Sequence, residues 1–472
     1  MAQRGDTRQV LLPPTLHTEV AESEAFAPLA IELRNGRLTD TGAWVSRPGL
    51  AEWYAPTSQL PGNSRQVLMI IPDGPGYFTL RGGRIFRLTP TPARVPGLLL
   101  GTQRPTWTHY RKFVVIADGG PVFTIEPARE YTLKKIAGAP PNAKFVVSLD
   151  TYLILAGQDA LTFQWSDTNT LDVWPAENFN SLTDEGDSIK MLKVLRRELF
   201  FFLSKRIEVW LNVGGQNPFQ RRARIEFGTA AGHSVVQAND RFYFLGSDGD
   251  FYVLEGTNPR VIPHGRPRQM RGILNSLPTL SDVYGYDFRR EGVIRWFSPC
   301  SGNTFTYDYV RDVFSLDSIW RSGTHQLLPI SGHAEVDGET YVGSYEPLGK
   351  IRKWTAAATT DLGEPIRMSR RFRVPLSPDG TLCRVNRLRF RVERGHADNL
   401  FIQNPLMLVR WALDEQWIDF FEVPLGPIGD TNPYVDILAL GSGRELALDI
   451  IETDVTPFRL TACWVTAERL GR

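Results

Sequence analysis

Apolar residues along this chain come in short runs rich in Val, Ile, Leu, Phe and Tyr, each closed by Gly, Asn, Asp or Ser. Runs of that length and composition, bounded by turn formers, predict strands rather than helices. The stretch 186–262 shows the pattern most plainly. Leu199-Phe200-Phe201-Phe202-Leu203 is followed by Ile207-Glu208-Val209-Trp210 and a long polar segment through Gly214-Gly215 and Arg221-Arg222-Ala223-Arg224. Ser234-Val235-Val236, Phe242-Tyr243-Phe244-Leu245-Gly246 and Tyr252-Val253-Leu254 then repeat the plan. Strand, turn, strand and long loop are thus expected twice over.

The same cycle recurs on both sides. Val67 to Ile71, Phe113 to Ala117, Tyr152 to Ala156, Val293 to Phe297 and Thr340 to Gly343 are further apolar strands, each with a shorter alternating partner. Small residues close many of them at Gly119, Gly157, Ser204, Gly246 and Gly343. Their spacing of roughly 40 to 50 residues, with a double interval before the last, is that of four-stranded propeller blades. A lone blade cannot bury both faces of its sheet, whereas a closed ring can, leaving only short protected edges. The expectation is an all-β chain with a β-propeller over residues 55–360, of about six blades with five or seven within range. Ahead of it, residues 1–54 form an N-terminal segment. There Asn35-Gly36, between Ile31-Glu32-Leu33-Arg34 and Ala43-Trp44-Val45, predicts a β-hairpin.

Beyond a turn-rich linker at 359–365, the alternating strands from Arg371 to Val465 predict a C-terminal β-sandwich over residues 361–472. In Arg387-Leu388-Arg389-Phe390-Arg391-Val392, arginine alternates with apolar residues. One face of that strand is therefore cationic and turned to water or a partner, the other apolar.

Composition adds little. The chain has 42% hydrophobic and 22% charged residues, which fits a soluble globular protein. A net charge of +1 conceals a strong preference for Arg over Lys. Arginine forks pair bidentately with carboxylates and phosphates, so ion-paired interfaces are expected first and nucleic-acid backbone contacts second. Cys300, Cys383 and Cys463 are widely spaced and odd in number, which disfavours a disulfide framework or zinc site and suits a reducing cytosol. No leader-like opening and no apolar run near the ~20 residues of a membrane helix is present, so no signal peptide or membrane anchor is expected. The Arg4-Gly5-Asp6 triplet is too short to carry an adhesion role.

Chemistry is equally sparse. The seven histidines, His17, His109, His233, His264, His325, His333 and His396, show no metal-ligand spacing. The Gly-Gly pairs at 82–83, 119–120 and 214–215 lack the Gly-Lys-Ser/Thr of a phosphate loop and read as turns. Asp248-Gly249-Asp250 and Ser377-Pro378-Asp379-Gly380-Thr381 are imperfect versions of the turn found in sialidase-type blades, a structural element even there. The expectation is no catalytic residue, no metal and no cofactor. A glycan- or receptor-binding propeller, with or without glycosidase activity, is the alternative. Arginine clusters at Arg221, Arg222 and Arg224, and at Arg387, Arg389 and Arg391, are the candidate interface or channel-loop residues. The polar stretches 170–188 and 211–233 are the candidate loops. No recognition helix, zinc finger or RNA-binding aromatic motif accompanies them, so sequence-specific readout is not expected.

The order of motifs in 186–262 resembles the podovirus tail hub, or nozzle, family, also called packaged-DNA stabilisation proteins. The likeness is carried by Gly186-Asp187 with Ile189, Glu198-Leu199 with Phe202, and Ile207-Glu208 with Trp210 and Gly214. It continues through Pro218-Phe219 with Arg221 or Arg222, Ile225 with Gly228, Ser234-Val235, and Phe244-Leu245-Gly246 with Asp248-Gly249. Arg47-Pro48-Gly49-Leu50, Thr306-Tyr307-Asp308 with Val313-Phe314, Arg444, and Phe458-Arg459-Leu460 extend it over most of the chain. Phe314 stands where the family often has Trp, and Ala412-Leu413-Asp414-Glu415 lacks an expected Gly. The resemblance implies a virion protein at the distal end of a short phage tail. It would form a six-fold ring that extends the portal–adaptor channel, retains packaged DNA and opens for ejection. The implied partners are other copies of the chain, a portal adaptor, a tail fibre or a needle or plug, and non-specifically held double-stranded DNA. Assembly would take place in the host cytoplasm.

Overall fold

The computed structural model describes residues 7–11, 29–40, 44–54, 67–73, 76–81, 84–87, 93–126, 130–157, 159, 161–182, 186–262, 279–344, 351–377, 379–394, 406–425, 434–452 and 458–470. Among them the secondary structure is strand throughout, apart from one short 3-10 turn at Gly232–Ser234. Arg4-Gly5-Asp6, the Gly82-Gly83 turn, His17, His264 and His396 lie outside these residues.

Among the described residues, seven four-stranded antiparallel blades follow one another, five as separate sheets and the last two as parts of larger ones. Blades 1 to 6 occupy residues 67–94, 106–135, 145–181, 189–225, 236–261 and 284–317. Blade 7 takes three strands, Gly332–Val336, Glu339–Gly343 and Ile351–Thr355, and borrows its fourth, Gly49–Tyr54, from the N-terminal segment. The borrowed strand pairs antiparallel to Ile351–Thr355, with Gly49 opposite Thr355 and Leu50 opposite Trp354. The innermost strand of blade 1, Val67–Asp73, lies against the first two strands of blade 7, so the ring is closed. The all-β propeller is therefore present, with seven blades where the repeat period gave about six.

Position within a blade explains the sequence pattern. Second strands such as Glu198–Leu203 and Arg241–Leu245 are buried almost end to end between neighbouring blades. A strand covered on both faces reads as a continuous apolar run rather than an alternation. Phe200 meets Phe242 edge-on at 5.0 Å and Phe202 meets Phe244 at 5.5 Å, packing blade 4 onto blade 5. Outermost strands, such as Phe219–Ile225, are exposed at most positions and carry charge.

The C-terminal region is a two-sheet sandwich. Met368–Pro375, Glu445–Glu452 and Leu406–Leu413 form the middle of one sheet. Cys383–Arg394 lies between Phe458–Arg469 and Tyr434–Gly443 in the other. Phe372, Val374, Leu448 and Ile450 of the first sheet share one core with Leu388, Phe390, Val392 and Val465 of the second. The alternation predicted for Arg387 to Val392 holds, since Leu388, Phe390 and Val392 are buried while the arginines between them face outward.

Three features differ from the sequence reading. The N-terminal segment is distributed rather than separate. Leu29–Arg34 pairs with Met368–Pro375 and bridges that sheet to blade 6, Thr7–Leu11 and Trp44–Ser46 pair with Phe458–Arg469, and Gly49–Tyr54 completes blade 7. The turn-rich linker contains two short strands, Thr360–Asp361 and Glu364–Pro365, added beside the borrowed strand. Finally, Asn35-Gly36 is a corner where the chain passes from one sandwich sheet to the other, and the hairpin joins Gly36–Leu38 to Trp44–Ser46. Asn35 takes φ +57°, a conformation Asn tolerates better than most residues. Its buried amide fixes the corner. Nδ2 donates to the Arg367 carbonyl at 2.8 Å, and Oδ1 accepts from Ser318 N at 2.7 Å and from Arg47 Nε at 3.1 Å. A tertiary network of this kind overrides the local hairpin signal.

Candidate functional site

The innermost strands of blades 2 to 7 converge on the propeller axis and enclose a cavity of about 410 Å³. Arg104, just before the first strand of blade 2, reaches across to the opposite side. Its guanidinium lies 3.8 Å from the centre of the Tyr284 ring. It donates to Tyr286 Oη at 2.5 Å and to the Ser331 carbonyl. The Tyr286 hydroxyl donates to the same carbonyl at 2.7 Å. Arg104 thus ties blade 2 to blade 6 and the entry of blade 7 through the axis.

Lys193 of blade 4, His233 at the entry to blade 5 and His333 of blade 7 also line this cavity. Lys193 has no hydrogen-bond or ion-pair partner among the described residues, and burial lowers its pKa. Burial, then the charges of Arg104 and Lys193, pulls His233 down to about 3. His333 is likewise down to about 3, through burial and then Arg295. Its ring packs 4.4 Å from Phe288 and 5.5 Å from Tyr286. Asp287, the carboxylate lining the cavity, is raised by burial and is engaged by the Tyr309 hydroxyl at 3.1 Å and Arg289 at 3.5 Å.

These histidines make stability pH-dependent. A ring neutral in the fold but protonated near 6.5 when unfolded binds its proton first in the unfolded chain. The stabilising contribution is complete above pH 6.5 and is lost as pH falls towards 3. At pH 5 the cost for His333 is about 2 kcal/mol. Urea unfolding between pH 7.5 and 5 should show this loss, and His333→Phe should flatten the acid limb by about one proton. An unaltered slope in that variant would exclude His333 as a source.

The two arginine clusters lie in separate sheets. Residues 211–233, expected as a loop, include the outermost strand of blade 4, Phe219–Ile225. Its arginines are paired within the chain. Arg222 meets Glu198, Arg224 Nε is 2.5 Å from Glu226, and Arg221 is 3.8 Å from Glu208. The strand was unrecognisable because its exposed positions are Gln and Arg rather than apolar residues. Within 170–188, Phe179–Ser181 is likewise an outermost strand. On the sandwich, Arg389 holds Asp436 bidentately at 2.8 Å and lies over Tyr434. Arg387 adds to the field that lowers Asp436, after Arg389 itself. Arg391 is exposed on the same face. The sialidase-like turns are fastenings. Asp248 accepts from the Tyr252 hydroxyl at 2.6 Å, and Asp379 accepts from Thr381 N at 3.2 Å.

Sequence reasoning missed the axial residues. Lys193 is a charge inside the apolar run Met191-Leu192-Lys193-Val194-Leu195, and that mismatch was its one available signal. Arg104 carried none, because its partners lie some 180 residues away or more. Among the described residues no three His, Cys, Asp or Glu side chains gather in a metal-binding group, and no described helix could cross a membrane.

Among solved structures, the Pan2 WD40 domain of Neurospora crassa aligns at 9% identity, over 68% of this chain and 98% of its own, with a TM-score of 0.44. The RRP9 WD40 repeats align at 11% identity, over 66% and 99%, with a TM-score of 0.41. The computationally designed Ika8 protein aligns at 13% identity, over 72% and 98%, with a TM-score of 0.40. No curated protein matches the chain. Residues 101–252 match the family model described as "Phage_stabilise: Bacteriophage P22 Gp10, beta-propeller". That segment spans blades 2 to 4 and most of blade 5 and contains most of the motif order read from 186–262. Residues 101–252, from blade 2 into blade 5, are therefore similar to the β-propeller of the phage packaged-DNA stabilisation family.

Proposed function

We propose that the protein is a tail nozzle or hub of a phage virion. As a six-fold ring it would extend the portal–adaptor channel, hold packaged DNA and open for ejection. The observation that carries this reading is the family match over blades 2 to 5. The glycan-binding alternative has no specific observation in its favour.

The geometry constrains where DNA would run. The axial cavity of about 410 Å³ is crossed by Arg104 and cannot admit a duplex, whose major groove alone is about 12 Å wide. A conduit must therefore be formed between copies, by outer surfaces. The arginine face of Cys383–Arg394 and the outermost strand Phe219–Ile225 are the surfaces proposed to meet neighbouring copies or the DNA backbone. Arg221, Arg222, Arg224 and Arg389 have intramolecular carboxylate partners, so they would contribute through shared ion-pair networks rather than as bare charge. An adaptor above and a fibre, needle or plug below complete the assembly.

Negative-stain microscopy of the purified chain, alone and with its adaptor, tests this. Six-fold rings are expected, and Arg387→Glu with Arg391→Glu should shift the population towards single copies. A monodisperse monomer at high concentration, with the adaptor present, would overturn the proposal.

A further inference from the structure

We propose that the axial cavity of the propeller binds a small phosphate-type oxyanion, with the Lys193 ammonium as its main counter-charge. The inference is independent of the role proposed above. Lys193 is half-buried, and an ammonium drawn into a cavity without a carboxylate partner is disfavoured, so such groups either lose their proton or acquire an anion. Lys193 has no described partner, while Asp287, the carboxylate of the same cavity, accepts from the Tyr309 hydroxyl through Oδ1 and faces Arg289 Nε at 3.5 Å through Oδ2, which has no hydrogen bond among the described residues.

The surroundings favour the anion. The Arg104 guanidinium offers five N–H donors and no acceptor. The protein accepts donation from one of its nitrogens, through Tyr286 and Ser331. The remaining N–H groups have no described acceptor. His233 feels both cations, so the two charges act on a common region of the cavity. A volume of about 410 Å³ is ample for one phosphate with bridging waters, each water taking about 30 Å³. Cations from blades 2 and 4, with the imidazole of blade 5, would grip the anion from three sides of the axis.

The test uses the full chain, dialysed into chloride buffer and titrated with inorganic phosphate at constant ionic strength. Calorimetry should show saturable binding of one phosphate per chain, with a melting temperature that climbs as phosphate rises. Lys193→Met should weaken binding at least tenfold and erase the climb, and Lys193→Arg should restore part of both. Without phosphate, Lys193→Met should melt no lower than the parent, because it removes an uncompensated charge. The exposed control Lys135→Met should behave as the parent. A second readout needs no variant. Acetic anhydride labelling of Lys193, followed by mass spectrometry, should slow at least tenfold in saturating phosphate while Lys135 is unaffected. Absence of saturable binding, binding unchanged in Lys193→Met, or equal labelling of Lys193 with and without phosphate would each overturn the proposal.

Discussion

Arg47→Ala lowers the free energy of unfolding by about 3–5 kcal/mol, the range for breaking a buried ion pair by removing one partner. Arg47 sits where the N-terminal segment, blade 6 and the strand pair after blade 7 meet. Its guanidinium holds Asp361 at 3.1 and 2.5 Å, with both side chains 1% exposed. It also donates to the carbonyls of Ser318 and Pro48 and to Asn35 Oδ1, and lies over the Trp354 ring. Truncation to Ala leaves the Asp361 carboxylate enclosed without its cation, and takes a donor from three further acceptors. Arg47→Met combined with Asp361→Leu should recover part of the loss, because removing both charges avoids the uncompensated one. Urea titrations of the single and double variants measure both effects. A loss below about 1 kcal/mol in Arg47→Ala would mean that the junction does not depend on this pair.

Arg295→Ala costs about the same, 3–5 kcal/mol, for a related reason. Arg295 projects from the second strand of blade 6 and is 1% exposed. It binds Glu291 through both terminal nitrogens at 3.2 and 2.9 Å and Asp317 through Nε at 2.8 Å. The rings of Phe288 and Trp354 flank it at 4.3 and 4.6 Å. Glu291 loses a bidentate cation and Asp317 its nearer one, and two aromatic contacts go with them. Asp317 also lies 4.0 Å from Arg47. The two arginines share a carboxylate, so the double variant should depart from additivity by about 0.5–3 kcal/mol. Strict additivity in a double-mutant cycle would show that Asp317 does not connect them.

Much of the propeller was legible because its second strands are covered on both faces. Leu199 to Leu203 and Phe242 to Leu245 announce themselves as strands for that reason alone. The blade count was harder. Innermost strands begin at 67, 106, 145, 189, 236, 284 and 332, at intervals of 39 to 48 residues, and the last blade finds its fourth strand elsewhere in the chain. Pairings such as Leu50 with Trp354 leave no local trace, which is why residues 1–54 read as a separate segment. The arginine alternation from 387 to 391 revealed its strand and its faces, because a period of two survives any partner. The axial site stayed hidden for the opposite reason. It is assembled from single residues of several blades, none remarkable in its own neighbourhood.

The borrowed strand of blade 7 also fixes an order of events during synthesis. Gly49–Tyr54 is made early, yet its partner Ile351–Thr355 follows about 300 residues later. At about 5–20 residues per second, the nascent chain waits roughly 15–60 s between the two. Blades 2 to 6 draw all four strands from consecutive sequence and can form as they emerge, while closure must await the last. The ribosome-bound intermediate is thus an open arc with unpaired strand edges at its ends. That interval is when the chain is most open to pairing with a neighbour's strand.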